Sequence, residues 1–184
     1  GRNLLTELAT KGYKVCDTIT EIVKIKEGKV AGLLTEQRVD KRGDQLAKTT
    51  DVALNILKKN PKGFFLMVEG SKIDDGGHDN NVQYVVEEML DFDKAVGRAL
   101  EFASQNGETL VIVTADHETG GVTILGGDIK SKQVNLNFST KSHSAVMLPV
   151  YAYGPGAGNF TGIYDNTDLP KKMLNAFRFS GGKK

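Results

Sequence analysis

The chain contains three histidines, and each has neighbours that suit a metal ion. His78 is four residues after Asp74 in "EGSKIDDGGHDNN", a loop by its glycines, with Asp75 between them and Glu69 just upstream. Asp116 directly precedes His117 in "TADHETGG", and His143 lies in the serine-rich "STKSHSA". Zinc accepts imidazole nitrogen and carboxylate oxygen, and catalytic zinc keeps a position open for water or substrate. A mixed nitrogen and oxygen set without cysteine suits a hydrolytic metal better than a structural one. Taken singly, each pattern also fits a plainer role: a turn cap with a hydrogen-bonded imidazole, or a surface ion pair. Together they are more specific, because no histidine is left over for an ordinary surface position.

The elements that must position these residues alternate. Residues 2–11 read as a short amphipathic helix with Leu4, Leu5 and Leu8 on one face, stopped by Gly12. Strands are expected at 13–16 and 30–34, then a polar loop over 35–44. Leu46, Ala53, Leu54 and Leu57 mark a helix over 45–59, which Asn60–Pro61 stops. "GFFLMVE" at 63–69 is a continuous apolar run and suits a central strand covered on both faces. Residues 81–105 carry the longest helical pattern, 109–115 ("TLVIVTA") a second buried strand, and 146–154 a further one. Residues 120–140 read as a hairpin excursion, and Pro170 sits in the first turn of a last helix ending near 178. Strands alternating with helices imply an α/β fold with a largely parallel sheet flanked by helices. Ligands of such sheets bind beyond the carboxyl ends of the strands, which is where both acidic-histidine clusters fall.

Composition bounds the partners. Lys plus Arg is 24 and Asp plus Glu is 23, so charge gives no argument for nucleic acid or an anionic membrane. No apolar stretch reaches the roughly 18 residues of a membrane span, and the N-terminal residues lack the apolar core of a signal peptide. The single cysteine, Cys16, excludes an internal disulfide and reads as a small buried residue.

"FFLMVEGSKIDDGGHDNN", "LVIVTADHETGG" and "SHSAVMLPVYAYGPGAGNFTG" resemble the three C-terminal metal motifs of alkaline phosphatases, in the family's order, over about residues 63–178. The first 60 residues are similar to the family's middle region, less specifically. The resemblance implies two zinc ions and one magnesium. Asp74, His78 and His143 would bind the first zinc, which activates water. Asp116 and His117 would bind the second, which activates a serine nucleophile, and Glu69 would bind magnesium. It further implies a phosphate-monoester substrate, a periplasmic or extracellular setting and a homodimer. Asp75 departs from familiar branches, which carry Lys or His there. It reads either as a carboxylate that weakens phosphate binding or as a solvated loop residue.

The family's nucleophile motif, bridging aspartate and phosphate-clamping arginine have no counterpart here. None of the seven serines (Ser71, Ser104, Ser131, Ser139, Ser142, Ser144, Ser180) matches. The expectation is therefore that residues 1–184 form the C-terminal part of a single such domain, incomplete at its N-terminus. The nucleophile would lie upstream, and this chain alone would be inactive. Two other readings stay open: a phosphodiesterase or phosphomutase on the same metal frame, and a non-catalytic metal-binding domain.

Overall fold

A computed structural model describes residues 1–34 and 43–177. Most of the polar stretch read as a loop, residues 35–42, lies outside them, as does the end of the last helical pattern. The chain divides into two compact units, Gly1–Ile73 with Gln83–Arg98, and Asp74–Val82 with Ala99–Lys184.

In the first unit, helix α1 (Leu4–Thr10) starts where the Asn3 side chain accepts from the Leu5 and Thr6 amides. It ends at Gly12, whose φ of 81° only glycine adopts cheaply. Strand β1 (Tyr13–Cys16) follows and pairs in parallel with β2 (Lys29–Gly32). Between them a short helix, α2 (Ile19–Ile22), is capped by the Thr18 hydroxyl. Cys16, Ile22 and Ile25 are buried together, with Val30, Leu34, Val52 and Ile56 packed on them. The last two lie on α3 (Gln45–Leu57), whose Ala47, Thr50 and Leu54 are also buried. Arg98 of the long helix α5 (Val82–Asn106) forks onto Asp51 of α3 at 2.9 and 3.0 Å, and Lys94 donates to the Gly43 carbonyl.

The second unit holds three antiparallel pairs. Strand β3 (Val111–Val113) pairs with β8 (Tyr151–Tyr153), β4 (Glu118–Thr119) with β7 (His143–Ser144), and β5 (Thr123–Asp128) with β6 (Gln133–Asn137). The β3–β8 pair is closed by Gly154 at φ +100°, where a Cβ would meet the Thr109 carbonyl oxygen at 2.2 Å. After β8 a 3-10 turn, Ala157–Phe160, buries Phe160, and helix α6 (Asp168–Ala176) returns onto it through Lys172 and the Asn159 carbonyl. Helix α4 (Lys72–His78) begins at the junction between the units and carries the first acidic-histidine cluster.

The architecture corrects three expectations. Among the described residues only β1–β2 is parallel, so no largely parallel sheet forms. The apolar runs at 109–115 and 146–154 pair head to tail, and an apolar run reads the same for either strand direction. Residues 63–69 are extended backbone outside the strand pairs, and alternate residues face solvent, Phe65 63% and Met67 75% exposed. The third correction is α4, where a loop was expected. It forms despite Gly76 and Gly77, and Asp75 stands in its first turn.

Candidate metal centre

Asp74 and His78 are four residues apart on α4, so both project from one helix face. The helix lies directly on β4. A Cβ at Gly77 would stand 2.7 Å from the Thr119 carbonyl oxygen, and one at Gly120 would stand 2.9 Å from the Gly77 carbonyl oxygen. Gly77, one of the two glycines that weaken the helical pattern, is thus the residue that lets helix and strand approach so closely.

Strand alternation arranges the rest. In the β4–β7 register Thr119 stands opposite His143, and Glu118 opposite Ser144. Thr119 and His143 therefore share one face and Glu118 and Ser144 the other. His117 precedes Glu118, which returns its ring to the Thr119 side. The loop before His143 is held by Gly120, whose amide donates to the Ser142 carbonyl and whose own carbonyl accepts from the Ser139 and Thr140 amides.

One ligand atom from each of Asp74, His78 and His143 lies within 4.8 Å of the others. His78 Nε2 is 3.4 Å from Asp74 Oδ2 and 3.2 Å from His143 Nε2, and His143 Nε2 is 3.7 Å from Asp74 Oδ1. Tetrahedral zinc with bonds of ~2.0–2.1 Å separates its donors by roughly 3.3–3.4 Å, so this spacing fits that ion. Beside the trio, His117 Nε2 is 3.3 Å from Asp116 Oδ2. The His117 ring stacks on His143 with centroids 3.6 Å apart.

The hydrogen bonds assign the protons. His78 Nδ1–H donates to the Lys141 carbonyl at 2.7 Å, which leaves Nε2 with its lone pair toward the trio. The Thr119 hydroxyl donates to Asp74 Oδ1 at 2.5 Å. Its single proton is then used, so Thr119 Oγ1 accepts from His117 Nδ1–H at 3.2 Å. His117 likewise presents Nε2 bare. The Thr119 bond holds the Asp74 carboxyl below the usual range, against partial burial and with the help of the three imidazoles. Partial burial pushes the Glu118 carboxyl up, but the Ser144 hydroxyl and the Val122 and Gly121 amides outweigh it and hold it low. Outer partners of this kind orient metal ligands and fix their tautomers.

The second unit thus brings together Asp74, His78, Asp116, His117 and His143. Glu69 belongs to the first unit, at the exposed end of the 63–69 segment. Sequence reasoning missed Thr119, Glu118, Ser144 and the Lys141 carbonyl. Thr119 had a signal, since it stands two residues past His117 and so on the same strand face.

A centre of paired carboxylates and imidazoles is the kind that metal-dependent hydrolases use. The sequence profile described as "Alkaline phosphatase" matches residues 1–137 and 128–179, and the chain belongs to that family. It is 29% identical to alkaline phosphatase 3 of Bacillus subtilis, over 97% of this chain and 55% of that protein. It is 42% identical to the Escherichia coli K12 alkaline phosphatase over 67% of this chain and 30% of that one. Among solved structures, the alkaline phosphatase of the Antarctic bacterium TAB5 superposes with a TM-score of 0.84 at 39% identity, over 96% of this chain and 55% of that one. An alkaline-phosphatase-like α/β fold follows. The chain spans about half the length of the Bacillus relative.

Proposed function

We propose that these residues form the metal-holding part of a phosphate-monoester hydrolase. The observation that carries the reading is the convergence of Asp74, His78 and His143 at zinc spacing, in a chain of the alkaline phosphatase family. Asp74, His78 and His143 hold one zinc, Asp116 and His117 a second, and Glu69 contributes to a magnesium site. A variant of the TAB5 enzyme is described with magnesium bound in a site designated M3, in keeping with a centre that also takes magnesium. When bound, such ions offset the charge that develops on the phosphoryl oxygens and activate an oxygen nucleophile at neutral pH.

The chain's own residues bind, orient and hold protons. Lys141 and Thr119 keep the Nδ1 protons of His78 and His117, so that Nε2 is the ligating atom. Thr119 keeps Asp74 ionised and turned to the centre. The serine nucleophile, the phosphate-clamping arginine and the bridging aspartate come from sequence outside these 184 residues, which count as the C-terminal part of one such domain. The enzyme works on phosphate monoesters in a periplasmic or extracellular setting, as a homodimer. Among the described residues no helix is long and apolar enough to cross a membrane. Every named relative above is a phosphatase, which favours monoesters over diesters.

Zinc titration by calorimetry tests the reading. The protein should show a dominant zinc event that His78→Ala and His143→Ala abolish. Aryl-phosphate hydrolysis by the 184-residue chain with zinc and magnesium should stay near background, and should appear when the upstream part is co-expressed. Unchanged zinc uptake by the His78→Ala/His143→Ala double variant would remove the metal assignment. Robust chelator-sensitive turnover by the chain alone would place a nucleophile within it.

A further inference from the structure

We propose that Glu118 is a positioning residue for the metal centre. Its carboxylate locks β4 against β7 and thereby sets where His117 and His143 present their Nε2 atoms. The inference rests on the metal reading above.

The pair β4–β7 has two residues on each side. So short a ladder gives little register control by itself. Yet it carries His143 and directly follows His117, whose rings must stack and aim together. On the face away from the trio, Glu118 makes three contacts. Its Oε2 accepts from the Ser144 hydroxyl, its cross-strand partner, and from the Gly121 amide at 3.1 Å. Its Oε1 accepts from the Val122 amide at 2.8 Å. Glu118 therefore ties three pieces of chain: its own strand, β7 through Ser144, and the turn that leaves β4.

That turn needs tying. Gly120 and Gly121 both have positive φ, 93° and 59°, a conformation that glycine enters and leaves freely. Gly120 is also the residue that anchors the Ser139–Ser142 loop leading to His143. Charge-assisted bonds from an ionised carboxylate are the stronger kind, so a single side chain supplies the stiffness that the sequence around it lacks. Glu118 is not itself among the grouped ligands; it acts through its neighbours.

The test compares Glu118→Ala, Glu118→Gln and Ser144→Ala in the purified protein. Zinc affinity is read by competition with a chromophoric chelator, and ligand geometry by the visible spectrum of the cobalt-substituted protein. Glu118→Ala should weaken zinc binding about tenfold or more and shift the cobalt bands. Ser144→Ala should do the same to a smaller extent, and Glu118→Gln, which keeps one acceptor, should recover part of the affinity. Adding Ser144→Ala to Glu118→Ala should cost less than the two separately, since both remove one link. If Glu118→Ala does not fold, Ser144→Ala decides, because it leaves the carboxylate its two backbone donors. A folded Ser144→Ala protein with unchanged zinc affinity and an unchanged cobalt spectrum would overturn the proposal. Lower stability without a change in affinity would overturn it too. His78→Ala in the same titration separates the two claims. If it loses zinc while the Glu118 and Ser144 variants do not, only the positioning role fails. If it too binds zinc like the parent, the metal reading fails.

Discussion

At the residue scale, Thr119 does the most with the fewest atoms. One hydroxyl donates to Asp74 and accepts from His117, so it couples the ligand sets of two proposed ions. Valine has nearly the same shape and neither bond. Thr119→Val should leave the fold intact and lower zinc affinity about tenfold, checked by chelator competition against a circular dichroism control. Serine at the same place should keep most of the affinity, because it keeps the hydroxyl. The ligand-type residues are legible in the sequence because histidine is scarce here and two of the three have a carboxylate within four residues, His78 with Asp74 and His117 with Asp116. Thr119 and Glu118 are much less so. Their partners Asp74 and Ser144 lie 45 and 26 residues away, and no local pattern announces a bond of that range.

At the element scale, the meeting of α4 and β4 decides where the ligands stand. Gly77→Ala would set a Cβ 2.7 Å from the Thr119 carbonyl oxygen and 2.9 Å from its Cβ. Helix propensity alone favours alanine, so a naive reading expects stabilisation. Overpacking should win, and denaturant unfolding should show a loss of about 1–3 kcal/mol together with weaker zinc binding. The sequence places most helices and short strands close to where they occur, since caps and apolar spacing are local signals. It misses α4 because two glycines break the pattern, and the reason for Gly77 lies in a strand some forty residues later. It misreads strand direction because nothing local distinguishes a parallel neighbour from an antiparallel one. In α3, Leu54 is buried at helical spacing. Leu54→Ala should cost about 2–4 kcal/mol by the same unfolding measurement.

At the scale of the whole molecule, two properties follow from what is exposed and what is clustered. Phe65, Met67, Val146 and Met147 all stand largely in solvent, which is unusual for residues of apolar runs. The chain should therefore self-associate and bind a hydrophobic dye. Phe65→Lys with Met67→Gln should raise its solubility and reduce the dye signal, read by light scattering and fluorescence. The second property is linkage. Asp74, His78 and His143 present their ligand atoms to one ion only when the fold holds them together, so an ion that binds there favours the folded state. Zinc at a hundred times its Kd should add about 2.7 kcal/mol of stability. Calorimetric scans with and without chelator should show the midpoint fall when the ion is removed.

The contact between Gly77 and Gly120 also has an evolutionary consequence. Where a helix and a strand meet through side chains, drift can adjust their spacing a methylene at a time. Here the nearest atoms across the gap are backbone carbonyls, the Thr119 oxygen for Gly77 and the Gly77 oxygen for Gly120, so the distance from Asp74 and His78 to His117 has little adjustable spacer. Saturation mutagenesis at both positions should accept glycine and almost nothing else. Descendants of this sequence could then change ion preference by exchanging ligands, but not by widening or narrowing the seat that holds them.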